Sequence, residues 1–220
     1  CDIHWLYHIF FFIVMSILKE SINSFLKSEE VKTNKTKTKS NIFRDTLNSI
    51  TTSAIEFEYN EDELLIIFKD ARILSLNKMM ELLQKNTNRP YEMMAYKKAW
   101  HTKMCIVLKS IINDSIINDK KLPNFDTETW SLRLYLYREA QRLLDEDAMS
   151  ASFKYIIDSL SDSIVVDDKN YKFIEDDNQN VISEILPFQV KSKQYNLAIK
   201  IVKIEKKPSI NSLDEFLKII

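Results

Sequence analysis

Residues suited to metal chemistry gather in the segment 143–169. Asp145 and Asp147 lie two positions apart, and Asp168 ends the apolar run "SIVVDD". Magnesium and manganese prefer a few carboxylate oxygens together with water and phosphate, and such ions activate water against a phosphodiester. A nearby cation, here Lys154, would stabilise the charge of the transition state. The segment therefore predicts a metal site of three aspartates with a lysine as a further catalytic group.

The same spacing has a purely structural interpretation. On an extended segment Asp145 and Asp147 would point to the same side, and only one aspartate of "VVDD" could join them. An Asp-x-Asp sequence before a helix is equally typical of an N-cap and a first-turn residue. Lys154 and Asp158, four residues apart, could form an exposed helix pair worth only ~0.3–0.5 kcal/mol. Spacing alone leaves both interpretations open.

The elements that must position these residues follow from hydrophobic periodicity. The chain order is strand, strand, helix, strand, helix, strand, strand, which predicts an α+β fold with a mixed β-sheet and two main helices. The last two strands, within 182–205, are expected to form a terminal hairpin. The long helix carries an apolar core stripe at i, i+3, i+4 spacing: Met93, Tyr96, Trp100, Met104, Val107 and Ile111. The other expected elements are a hairpin at 54–68, a strand at 129–138, a helix at 149–162 and a short strand at 163–168.

The remaining chain is expected to form a helical or disordered N-terminal extension and a short tail. Residues 15–29 have a helical pattern, and 31–40 are rich in lysine and threonine, which is typical of a linker. The predicted divisions are a leader (1–14), a helix with a linker (15–53), the main domain (54–207) and a C-terminal tail (208–220).

The first residues include an apolar run, "WLYHIFFFIVMSIL", that is interrupted by His8. It is shorter than the ~18 residues needed to span a bilayer, so no stable membrane association is expected. We expect that 1–14 are translated upstream sequence and that Met15 is the true start. A membrane-associated N-terminus and a lipid-modified Cys1 are the alternatives. Two isolated cysteines indicate a reduced cytoplasmic protein.

Charge and composition add two constraints. The net charge is −1, so any attraction to nucleic acid must be local. Residues 69–109 hold nine basic residues and three acidic ones, with aromatic residues between them; phosphate contacts need such a local excess, and a solvated helix face is the alternative interpretation. Glycine is absent, so tight turns must use Asn, Asp, Ser or Lys. The predicted DNA-binding residues are Lys78, Arg89, Lys97, Lys98 and Lys103.

The block "RLLDEDAMSASFKYIIDSLSDSIVVDDKNY" resembles the core motif of the RusA-like Holliday junction resolvases, the crossover junction endodeoxyribonucleases. That family typically has a D-P-D-N segment, a helix with a lysine, and a strand that closes in D-D. Upstream, "LLIIFKDARILSLNKMM" is similar to the family's first strand and the S-x-N after it. The resemblance covers roughly 62–205, and only the 140–170 block is specific.

The resemblance implies roles for individual residues. Asp145, Asp147 and Asp168 match the metal-binding aspartates, Lys154 matches the essential lysine, and Asp158 matches a more structural aspartate. It further implies Mg²⁺ (or Mn²⁺) as cofactor, a homodimer, four-way DNA junctions as substrate, and a bacterial or phage origin. Two departures, Glu146 for the proline and Ala148 for the asparagine, bear on activity, because Ala148 removes a polar group beside the predicted site.

Three functions therefore remain open. The first is a metal-dependent endonuclease that resolves branched DNA by phosphodiester hydrolysis. The second is a catalytically weakened relative that binds branched DNA. The third is a non-enzymatic protein-interaction module in which the acidic residues merely cap a helix.

Overall fold

The computed structural model describes residues 39–84, 90–125, 129–177 and 181–206. The predicted leader, the predicted helix at 15–29, the C-terminal tail and Arg89 lie outside these ranges. No helix within the ranges is both long and apolar enough to cross a bilayer.

The described chain confirms the predicted α+β class. Five strands form one mixed sheet in the order β1-β2-β7-β3-β6, in which β3 and β6 are parallel and the other neighbours are antiparallel. Strands β4 and β5 form a separate two-stranded hairpin. The helices are α1 (Lys39–Thr52), α2 (Leu76–Gln84), α3 (Pro90–Asn118), α4 (Glu146–Ser152) and α5 (Lys154–Asp158). The strands are β1 (Ala54–Tyr59), β2 (Glu63–Lys69), β3 (Trp130–Ala140), β4 (Ile164–Val166), β5 (Lys169–Tyr171), β6 (Ile182–Lys191) and β7 (Asn196–Glu205).

The core lies between the inner face of the sheet and the long helix α3. Side chains alternate between the two faces of each strand, so every second residue of β2, β7 and β3 points inward. These inward residues meet the apolar stripe of α3, as in the edge-on contact between Phe68 and Trp100, whose ring centroids are 5.4 Å apart. All six residues of the predicted stripe are buried, which confirms that it is a core face.

Helix α1 belongs to the same core. Its residues Phe43, Leu47 and Ile50 are buried with the sheet and α3. The expected domain boundary at residue 54 therefore falls between two elements, α1 and β1, that share one hydrophobic core.

The predicted terminal hairpin is wrong. Strands β6 and β7 follow each other in sequence, but β3 lies between them in the sheet. Their connection, 192–195, crosses a neighbouring strand. Adjacent strands are about 4.8 Å apart, so four residues are long enough to skip one. A short connection between two apolar strands usually makes a hairpin, and that tendency misled the prediction.

Aspartate takes the positions that glycine would otherwise occupy, as the missing glycine predicted. All residues with positive φ in the described ranges are aspartates, namely Asp70, Asp119, Asp167 and Asp168. Asp119 follows the last residue of α3, and the next residue, Lys120, donates its N–H to the Ser115 carbonyl at 3.0 Å. This is the Schellman arrangement that ends many helices, with aspartate in place of glycine.

Candidate functional site

The predicted metal ligands Asp145 and Asp147 lie where a helix begins. Helix α4 starts at Glu146, so Asp145 is its N-cap residue, in extended conformation, and Asp147 belongs to its first turn. The expected extended Asp-x-Asp segment is therefore wrong, because residues two apart on a helix do not face the same side. The position of Asp145 is the one expected of a helix N-cap. Its side chain, however, makes no capping hydrogen bond.

The predicted helix at 149–162 is two short helices, α4 and α5, which meet at Phe153. The predicted apolar face is correct: Phe153, Ile156, Ile157 and Leu160 are all buried. That burial anchors α5 against α3. The outward face of α5 is left to present Lys154 and Asp158 to solvent.

The prediction that Asp168 ends a strand is wrong. It lies with Asp167 in the two-residue turn between β4 and β5, where Val166 pairs with Lys169. Both turn residues have positive φ, 49° and 61°, which is the conformation of a type I′ hairpin turn. Turn geometry alone therefore accounts for two consecutive aspartates at this point.

The three predicted ligands lie on two different elements, the start of α4 and the β4–β5 turn. Within the described ranges, no three His, Cys, Asp or Glu residues form a group that could hold a metal ion. Asp145, Asp147 and Asp168 are therefore not assembled into a metal site among the described residues, and the assignment of Mg²⁺ to them stays a prediction.

Lys154 is instead the centre of a small ionic cluster. Its Nζ donates to Asp158 Oδ1 at 3.0 Å and lies 4.0 Å from Asp177 Oδ2. The hydrogen bond with Asp158 raises the pKa of Lys154. Burial raises the pKa of Asp177, and its hydrogen bond with Asp158 and the negative charge there raise it further. The predicted i, i+4 pair is confirmed, whereas no sequence pattern had indicated the third member, Asp177.

A groove between α3 and α5 brings two predicted sets of residues together. Its α3 side carries Lys97 and Lys98, and its α5 side carries Tyr155 and Asp158. The ammonium of Lys97 lies 5.9 Å from the centre of the Tyr155 ring. His101 Nδ1 is 2.9 Å from Asp162 Oδ2 on the opposite wall of the groove. Two of the predicted DNA-binding lysines thus face the helix that carries Lys154.

The other predicted DNA-binding residues lie elsewhere. Lys103 is only 1% exposed, and its Nζ donates to the Ser53 carbonyl at 2.6 Å, so the prediction that it contacts DNA is wrong. It lies on the apolar stripe of α3, three residues after Trp100, and that position is the reason for its burial. Lys78 pairs with Glu81 at 3.1 Å and lines a second cavity, away from the α3–α5 groove.

That second cavity has a volume of about 470 Å³, and its three arginines were not among the predicted DNA-binding residues. Arg72, Arg138 and Arg142 line it together with Lys78 and Tyr195. The alternation of β3 could have revealed Arg138, because it shares the inner face with Leu132, Leu134 and Leu136. A cation at an inward position of a strand is the signal that the prediction overlooked.

Comparison of the chain with protein-family models, with curated proteins and with solved structures found no match.

Proposed function

We propose that this chain binds branched DNA along the groove between α3 and α5 and, as a RusA-type enzyme, cuts it in a Mg²⁺-dependent reaction. The observation that carries the proposal is the groove itself. It places Lys97 and Lys98 opposite α5, which belongs to the segment that resembles the resolvase motif.

The charges in this groove support phosphate contacts. Lys97 and Lys98 have no carboxylate partner among the described residues, whereas Asp158 and Asp162 on the facing wall are engaged with Lys154 and His101. Ammonium groups without a partner bind backbone phosphates by releasing counterions, which gives affinity without base specificity. Tyr155 adds an aromatic ring beside these cations, a combination common in nucleic-acid-binding surfaces.

A second candidate function, binding of branched DNA without cleavage, is favoured by a different observation. No group of three possible metal ligands forms within the described residues, and the three matched aspartates lie at a helix start and a hairpin turn. The departures at Glu146 and Ala148 point the same way, since both alter the motif around the predicted ligands.

Binding is tested by gel shift of a synthetic four-way junction in EDTA at several salt concentrations. Lys97→Gln and Lys98→Gln should each weaken binding and reduce the salt slope by about one phosphate contact. Lys109→Gln is the matched control, because Lys109 is an exposed lysine on the same helix that does not line the groove. An equal effect of all three variants would place the DNA elsewhere.

Cleavage is tested by adding Mg²⁺ to the same junction. If the protein is an endonuclease, four substitutions should each abolish cleavage and leave junction binding intact or stronger: Asp145→Asn, Asp147→Asn, Asp168→Asn and Lys154→Ala. Asp167→Asn is the matched control for Asp168, since both residues occupy the same turn. Junction binding without cleavage by the parent protein would establish the second candidate, and the absence of both would refute the proposal.

A further inference from the structure

The cavity between β3, α2 and the β6–β7 connection holds a buried guanidinium without an anionic partner. Arg138 is 9% exposed and forms no ion pair with a carboxylate among the described residues, although Glu139 also lines the cavity. Its two hydrogen bonds both use Nη1, which donates to the Arg142 carbonyl at 2.7 Å and to Gln189 Oε1 at 3.4 Å. A buried cation without a counter-charge is costly, so this arrangement favours an anion beside it.

The unused donors of Arg138 are accessible from the cavity. A guanidinium has five N–H donors, and those on Nε and Nη2 have no acceptor among the described residues. Neither nitrogen is sealed off, since within the described chain the only fully buried side-chain nitrogen or oxygen lacking a partner is Trp100 Nε1. A planar fork of free N–H groups facing a cavity matches the geometry of phosphate oxygens.

The carboxylate nearest in sequence is directed elsewhere. Glu139 follows Arg138 on β3 and is also among the residues that line the cavity, but the alternation of the strand directs its side chain toward the opposite face of the sheet. There it accepts a hydrogen bond from Asn196 Nδ2 at 2.6 Å. Hydrogen bonds from Ser192 and Asn196 lower the pKa of Glu139, which keeps the carboxylate charged at that position. Glu139 therefore does not neutralise Arg138.

Further cations surround the cavity. The Arg72 guanidinium stacks over the ring of Tyr195 at 4.2 Å from its centroid, which holds a second positive charge at the wall. Arg142 is exposed and has no carboxylate partner within the described ranges, and Lys78 supplies a fourth positive charge although it pairs with Glu81. Desolvation lowers the pKa of Arg138, as expected for a cation that lacks an anion.

We propose that this cavity is a binding site for a phosphate group, contacted through the free donors of Arg138. The source of the phosphate rests on the proposed function: it belongs to the backbone of the branched DNA. Arg142 connects the two ideas, because it precedes by three residues the acidic segment that begins at Asp145. A phosphate held here would lie close in the chain to the residues that resemble the resolvase motif.

The site is tested on the full chain by titration calorimetry with inorganic phosphate at constant ionic strength. Arg138→Gln should raise the dissociation constant at least tenfold, about 1.4 kcal/mol. Arg133→Gln is the matched control: Arg133 lies on the same strand but on the outer face, where it pairs with Glu184 at 2.6 Å. It should leave phosphate binding unchanged.

A second variant protects the test against misfolding. Arg142→Gln removes an exposed charge and keeps the backbone carbonyl that Arg138 uses, so the protein should fold normally while phosphate binding weakens about threefold or more. Unchanged phosphate affinity in both Arg138→Gln and Arg142→Gln, or no phosphate binding by the parent protein, would overturn the site.

DNA as the source of the phosphate is tested separately by competition. Phosphate should displace a four-way junction from the parent protein at constant ionic strength, and Arg138→Gln should weaken junction binding. Phosphate binding without displacement would assign the cavity to a free phosphate and exclude DNA as the source. Loss of junction binding in every protein, with the phosphate titration intact, would refute the proposed function and leave the phosphate site standing.

Discussion

Lys103 makes the stability of this protein depend on pH in a direction opposite to that of most lysines. Its ammonium is buried and donates to the carbonyls of Ser53 and Thr51, at 2.6 and 3.4 Å, at the end of α1. These carbonyls have no helical partner of their own. Desolvation by burial lowers the pKa of Lys103 from 10.5 to about 8.

The magnitude follows from that shift. The folded state releases the proton near pH 8, whereas the unfolded state keeps it until about pH 10.5. Between these values the unfolded state binds more protons, so the free energy of unfolding rises with pH. Integrated from pH 7.5 to pH 9.5, the contribution of this one group is roughly 2 kcal/mol. The burial penalty is fully present below pH 8 and is relieved as pH increases.

Urea denaturation at several pH values from 7.5 to 9.5 measures this effect. The free energy of unfolding of the parent protein should rise by about 2 kcal/mol more than that of Lys103→Met, which has no titrating group there. Lys109→Met, an exposed lysine on the same helix, should behave like the parent. Parallel pH profiles for the parent and Lys103→Met would refute the idea that the buried ammonium is held at a desolvation cost.

Two other predictions concern the acidic residues. Asp168→Val should lower the free energy of unfolding by about 1–2 kcal/mol, because a β-branched residue resists the φ of 61° in this turn. Asp168→Asn should leave the free energy of unfolding nearly unchanged. Thermal denaturation distinguishes the two variants, and equal melting temperatures would contradict the turn argument. Lys154→Met should raise the pKa of Asp177 further, since it removes the favourable charge 4.0 Å away, while costing at most about 0.5 kcal/mol in stability. Carboxyl NMR titration measures that pKa, and an unchanged value would show that the ion pair is absent in solution.

Hydrophobic periodicity predicted the parts of the fold that depend on local pattern. The β1–β2 hairpin, β3 and the core stripe of α3 were correct, because alternation and i, i+4 spacing record which side of an element is buried. The pairing of β6 was not predictable in the same way. Its parallel partner β3 lies more than forty residues away in sequence, and nothing local distinguishes that pairing from a hairpin with β7.

Two buried cations were visible in the sequence but were misinterpreted or missed. Lys103 lies on the apolar stripe of α3, and Arg138 on the apolar face of β3. Counting charges along the chain placed Lys103 on a DNA-binding surface and ignored Arg138. Their positions in the periodic pattern carry more information than their charges, because a cation on a core face must find a partner inside the protein.

The two cations differ in whether that partner is complete. Lys103 Nζ meets two backbone carbonyls that need a donor, so its burial has a structural explanation. Arg138 meets one carbonyl and one amide oxygen through a single nitrogen, and its other donors face a cavity lined by further cations. Only the second arrangement leaves donors for a ligand, and for this reason we place the phosphate site at Arg138 and not at Lys103.

Local structure also accounts for the spacing of the aspartates. In a chain without glycine, a type I′ turn is most easily made by Asn or Asp, so the hairpin accounts for Asp167 and Asp168 whether or not a metal binds. Asp145 likewise lies at a helix start, where aspartate is common. Similarity of pattern to a resolvase motif therefore carries little weight at these positions.

The comparison of Asp167→Asn with Asp168→Asn carries more weight, because the turn imposes the same conformational demand on both residues and only a catalytic role distinguishes them. Loss of junction cleavage in Asp168→Asn alone would establish that role, and equal cleavage by both variants would reduce Asp168 to a turn residue.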